Sequence, residues 1–146
     1  MSRYFTLAEA ERMIPAVERS LRDAISQKSE YESANRELTD AVEKIRMAGG
    51  SRVNPGPLLT QRARRDSNAK ALKENIDRME GMGVQIKDLD IGLIDFLTLY
   101  HDREVCLCWK LGEKGIHFWH GIDEGFRGRK AIDEEFLANH EGDSAN

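Results

Sequence analysis

Most of the residues able to act on a ligand lie beyond Lys87 in this 146-residue chain. Asp95, Lys110 and His117 place a carboxylate, an ammonium and an imidazole on one stretch of alternating sequence, the raw material of acid–base catalysis. The same three groups also make an ordinary cross-strand ion pair. His120, Asp123 and Glu104, with His117 and Glu113 in reach, supply imidazole and carboxylate donors suited to zinc or a similar divalent ion. In a strand, His117 and His120 point to opposite faces, so the two converge only if the strand stops at Phe118. Packed or surface histidines are the alternative.

Cys106 and Cys108 share a strand face at a spacing with poor disulfide geometry. Buried, they serve as small hydrophobes. Asp88 and Asp90, just before Gly92, either hold a cation or cap a turn. Arg127 and Arg129, among Gly125 and Gly128, offer an anion site because glycine lets the backbone approach closely. Pairing with the acidic tail would occupy the same arginines. The arginines Arg62, Arg64 and Arg65 read as a solvated helix face with room for an acidic partner. No nucleophile elbow, P-loop or Ser-His-Asp order is present. The only cofactor these residues suggest is a divalent metal, and no enzyme class follows from them.

Three strands must position these groups: Leu93 to Tyr100, Glu104 to Leu111 and Ile116 to His120, after a short extended piece at Val84 to Ile86. His101 and Asp102 form the first turn, and Gly112 to Gly115 the second. The resulting register sorts side chains by face. Ile94, Phe96, Thr98, Val105, Leu107, Trp109, Phe118 and His120 make one, nearly apolar, face. Leu93, Asp95, Leu97, Leu99, Glu104, Cys106, Cys108, Lys110, His117 and Trp119 make the other. That second face is mixed enough to suggest a partner chain, a cleft or a ligand.

The sheet in turn needs something to lie on. Leu7, Ala10, Ile14, Val17, Leu21, Ala24, Lys28, Tyr31, Asn35, Leu38, Val42 and Ile45 recur at 3-4 spacing, the seam of one long helix over residues 6–48. Such a helix is roughly 60 Å long at 1.5 Å per residue. Thr6 and Glu9 match a capping box. Pro15 removes one backbone bond, predicting either a bend or a later start. A Gly-, Ser- and Pro-rich connection from Gly49 to Pro57 leads to a second helix over 57–82, closed by Gly81 and Gly83. The short connection makes the helices antiparallel, and the longer first helix overhangs the second. Its opening turns then need the apolar face of the sheet. The fold expected is α+β: a long antiparallel helical hairpin with a small C-terminal antiparallel three-stranded β-meander packed on the overhanging end of the first helix. We expect one domain over 1–146, with the sheet and a Gly-rich loop at 84–130. An acidic tail follows at 133–146, with a helical turn around Phe136 and a frayed end.

Composition bounds the function. A net charge of -4 argues against general nucleic-acid binding, which needs a basic surface. No stretch approaches the ~20 apolar residues of a membrane span. The opening residues lack an apolar signal core, and two cysteines do not make a disulfide scaffold. A cytoplasmic chain is the simplest reading.

Four segments carry a family resemblance: Tyr4 to Thr6, Lys87 to Phe96 (KDLDIGLIDF), Arg103 to Glu113 (REVCLCWKLGE) and Phe118 to Arg129 (FWHGIDEGFRGR). Together they resemble the uncharacterised prokaryotic family called domain of unknown function 2203. The resemblance implies a bacterial protein of helical-hairpin-plus-small-sheet type with no assigned activity. This chain has Leu97 where the family pattern has proline, and Gly121 where it has an acidic residue.

The leading functional expectation is a non-enzymatic helical-hairpin module that self-associates as a homodimer or docks on a protein partner. The alternative is a small metal-dependent enzyme or metal-binding protein with its site on the sheet. A third reading, weaker on charge grounds, is an anion or nucleic-acid adaptor.

Overall fold

The computed structural model describes residues 3–49 and 54–143, so part of the connection and the final three residues lie outside the description. The elements follow the order expected. Helix α1 spans Leu7–Met47 and α2 spans Gly56–Gly81. Strands β1 (Val84–Asp88), β2 (Leu93–Tyr100), β3 (Arg103–Lys110) and β4 (Phe118–Gly121) follow. A 3-10 turn at Phe126–Gly128 leads to β5 (Lys130–Ala131), helix α3 (Glu134–Asn139) and β6 (His140–Glu141). The protein is α+β, with a long helix, a second helix and an antiparallel sheet.

Two compact units divide the chain: residues 1–22 with 77–146, and residues 23–76. In the first, the capping box forms as expected. The Glu9 amide donates to Thr6 Oγ1 and the Thr6 amide to Glu9 Oε1, both at 3.1 Å. The helix starts at Leu7 and runs through Pro15 without interruption, so the later start is not adopted. Ala10, Val17 and Leu21 are fully buried, as are Phe5, Ile94, Phe96, Leu107 and Trp109. The opening turns of α1 are thus clad by the sheet. Phe5 meets Phe96 edge-on at 5.1 Å, and Glu11 accepts from the Ile116 amide at 3.3 Å.

The sheet has six strands rather than three. Its order is β1-β2-β3-β4-β5, with β6 paired to β2. Along one edge of β2, β1 pairs with Leu93 to Phe96 and β6 with Leu99 and Tyr100. Between them the Phe5 amide donates to the Leu97 carbonyl at 2.7 Å. Edge groups of β2 that a bare three-stranded sheet would leave open are therefore paired. The helical turn expected around Phe136 is α3, capped by the Asp133 side chain.

Two connections set the register. His101 and Asp102 both have positive φ, 51° and 62°, in the two-residue turn between β2 and β3 that hairpin twist favours. The link from β3 to β4 is longer than the four-residue turn expected. It runs over residues 111–117, with positive φ at Gly112 and Gly115. Glu113 organises it: its side chain accepts from the Lys110 amide at 2.6 Å and its carbonyl from the Trp109 indole at 3.1 Å. That extra length moves β4 by one residue. His120 lies opposite Cys106 and Phe118 opposite Cys108. The expected faces hold for β2 and β3 and are exchanged for β4: Phe118 and His120 join the mixed face, while Trp119 joins the apolar one.

Residues 23–76 form a helical hairpin. Arg64 on α2 pairs with Glu30 and Glu37 on α1, at 3.2 and 2.9 Å, and Asn75 donates to Gln27 at 3.4 Å. Later residues of α2 face earlier ones of α1, so the helices are antiparallel. The seam differs from expectation by one step. Ala34 is buried while Asn35 is exposed and Val42 is 50% exposed. The facing stripe runs through Ala24, Gln27, Tyr31, Ala34, Leu38, Ala41 and Ile45. Gln27, Ala34 and Ala41 take the places expected for Lys28, Asn35 and Val42, one residue earlier at each step on the same 3-4 spacing.

Candidate functional site

The register of β2, β3 and β4 builds one polar cluster on the mixed face. Asp95 lies opposite Cys108, and Cys106 lies opposite His120. Asp95 and His120 therefore sit diagonally across β3, on the two strands that flank it. The two cysteines between them are small, so the longer side chains meet over the central strand. His120 Nε2 lies 3.0 Å from Asp95 Oδ1 and 3.0 Å from Oδ2. All four residues are buried, Asp95 and Cys108 completely.

The other ring nitrogen is also engaged: His120 Nδ1 lies 2.7 Å from the Gly121 carbonyl. A carbonyl only accepts, so Nδ1 carries a hydrogen and Nε2 is left facing the carboxylate. With acceptors at both nitrogens the ring favours the imidazolium form. The hydrogen bond to Asp95, and next the one to Cys108, raise the His120 pKa to about 10 against the opposing effect of burial. Burial, and then the charge of Asp95, push the Cys106 thiol up to about 12. Asp95 is wholly buried, and both its oxygens face His120 Nε2, with the Cys106 thiol also in hydrogen-bond reach of the carboxylate. A buried carboxylate is costly without partners of this kind.

The Cys108 end of the cluster is closed by Arg129. Its guanidinium pairs bidentately with Glu113, at 3.0 and 3.1 Å, and lies over the rings of Phe118 and Phe126. Its Nη1 stands 3.9 Å from Cys108 Sγ.

The residues singled out from sequence are dispersed by this arrangement. Asp95 is central, but its partner is His120. His117 is exposed ahead of β4, where its carbonyl accepts from the Ile132 amide. Lys110 shares the mixed face, yet its ammonium rests 5.7 Å above the Phe126 ring. Of the expected metal donors, only His120 enters the cluster. Glu104 is exposed and accepts from the Tyr4 hydroxyl, a bond that holds the phenol above its usual range. Asp123 is exposed after β4, and it lines with Glu104 a surface groove of about 910 Å³ that excludes His120. Arg129 is tied to Glu113, in the loop before β4 rather than in the tail, while Arg127 is exposed.

Periodicity sets Asp95 and His120 on opposite faces and gives no sign that His120 stands across from Cys106. The signal for the correct register was the pair Gly112 and Gly115 around Glu113, which marks a connection longer than a tight turn.

The fold and cluster define an α+β protein whose sheet buries an Asp–Cys–His constellation on one face. By sequence the chain belongs to the family described as Uncharacterized conserved protein (DUF2203), whose model matches residues 3–132. Comparisons with curated proteins and with solved structures give no match. No helix among the described residues is long and apolar enough to cross a membrane.

Proposed function

We propose that this chain is a metal-binding protein that holds a divalent transition-metal ion, of the zinc type, between Asp95, Cys106 and His120. The carrying observation is the buried Asp95 carboxylate, set beside an imidazole and a thiol that are buried with it. The three donor atoms lie within 4.8 Å of one another. An ion bonded at about 2.0–2.3 Å to each donor would draw that set together only slightly. The mixture of thiolate, imidazole and carboxylate matches the preferences of zinc and cobalt rather than of calcium or magnesium. His120 is also oriented as metal-binding histidines are, with its remote nitrogen donating to a backbone carbonyl. Three protein ligands leave one tetrahedral position for a small molecule such as water.

Elemental analysis of untagged protein, stripped with chelator and re-equilibrated with zinc or cobalt, tests the reading. One equivalent of metal is expected, with thiolate-to-cobalt charge-transfer absorption that Cys106→Ser removes. A stripped protein that is folded yet takes up no stoichiometric metal overturns it.

The interaction-module reading concerns the other unit. What favours it is the incomplete burial of the hairpin seam.

A further inference from the structure

A helix pair can stand alone only if its apolar stripe is covered, and this one is not. Among the described residues of 23–76 the buried ones are Ala24, Ala34 and Asn75, none of them a large apolar side chain. Tyr31, Leu38, Ile45, Leu58, Leu72 and Ile76 stay half-buried. Two helices present one shared stripe to each other, and the rest of each apolar surface needs a second layer. A groove of about 280 Å³ between the helices, lined by Tyr31, Ala69, Leu72, Lys73 and Ile76, marks where that layer is missing.

Charge decides what fits there. From Asp23 to Met47, α1 carries six acids against four bases; from Gly56 to Ile76, α2 carries five bases against two acids. Within one chain the two stretches already attract, through Arg64 with Glu30 and Glu37. A second hairpin can be added in two ways. Like against like would set acidic helix beside acidic helix. Placing α1 against the other copy's α2 instead gives a ring of four helices in which every neighbour is opposite in sign.

We infer that the open face of the hairpin receives a second copy of this chain, α1 of each copy packing on α2 of the other in a two-fold four-helix bundle. The contact is isologous: the same half-buried residues meet on both sides. Residue size suits it as well, since Ala41 and Ala69 let neighbouring helices approach closely. The contact makes no use of the Asp95–His120 cluster and stands or falls separately from metal binding.

Sedimentation velocity of the full chain across micromolar concentrations is the test. The wild type should sediment as a dimer. Leu72→Arg should give a monomer with unchanged helical circular dichroism. Should that variant fail to fold, the exposed pair Arg62→Glu with Lys70→Glu decides instead, with dimer affinity falling roughly tenfold or more, equivalent to 1.4 kcal/mol. Ile91→Arg, on the sheet unit and already 41% exposed, should leave the dimer intact. A wild type that is monomeric throughout overturns the inference. So does a dimer lost on Ile91→Arg but indifferent to the hairpin changes, and so does a monomer whose hairpin is covered by a helix of another protein.

Discussion

The imidazole of His120 reaches over β3 to the carboxylate of Asp95, 25 positions earlier in the chain, and closes to 3.0 Å. What permits the contact is the size of Cys106 and Cys108, the two residues on the intervening strand that point the same way. A leucine at either place would fill the space the two side chains share. The cysteines therefore have a packing role whether or not a metal is bound, and Cys106 is the one whose sulfur stands among the candidate ligands.

Asp95→Asn should be costly in the metal-free protein. The amide keeps the shape but removes the charge that faces His120, leaving a buried imidazolium without its counter-ion. Breaking a buried pair from one side typically costs about 3–5 kcal/mol. Urea unfolding should show that loss, and the double variant Asp95→Asn with His120→Gln should recover part of it. Additive losses would mean the two side chains do not act as a pair.

The pair also sets a pH dependence. His120 titrates at about 10 in the folded protein against 6.5 for the unreacted ring. A group whose folded pKa is raised lends stability that is complete below its unfolded value and fades as the pH climbs toward its folded one. The metal-free protein should therefore lose stability between pH 6.5 and 10. His120→Gln should flatten that part of the profile, as measured by urea midpoints at fixed ionic strength.

Neither thiol should behave as a reactive cysteine. Both are buried, and Cys106 is pushed up to about 12 by burial and by Asp95. Thiolate is the reactive form, so modification by a disulfide reagent near pH 8 should wait for unfolding. Labelling at the rate of an exposed cysteine in native protein would contradict the burial of this face.

How much of this was legible in the sequence differs by element. Thr6 and Glu9 announce the start of α1 because a cap is a local event, decided within one turn. The seam and the β2 and β3 faces follow from periodicity, which is also local. The site was not legible because it depends on the β3–β4 loop. A side chain in that loop, Glu113, holds the chain open and shifts His120 by one residue, and one residue in a strand is a change of face. The Ala34-for-Asn35 exchange in the hairpin is a step of one residue beside Tyr31, Leu38 and Ile45, and the 3-4 spacing of those residues admits either neighbour.

The N-terminus of α1 allows the sharpest test of a long-range contact that periodicity could not supply. Thr6 and Glu9 satisfy two of the opening amides between themselves, and the Leu7 amide donates to His140 Nε2 at 2.9 Å. Because Nε2 accepts, the ring hydrogen sits on Nδ1, which faces the Phe136 and Leu137 carbonyls. The first turn of the long helix is thus capped partly by the far end of the chain. Thr6→Ala should cost about 1 kcal/mol, and His140→Ala a similar amount by leaving one amide unpaired. The box adds its own pH signature. Hydrogen bonds from Thr6 hold the Glu9 carboxyl below its ordinary value of 4.5, so its contribution is present above that value and lost as the pH falls through the lowered one. A double-mutant cycle between Thr6→Ala and Glu9→Gln should show coupling at neutral pH that disappears on acidification. If the coupling persisted in acid, the ionised carboxylate would not be what closes the turn.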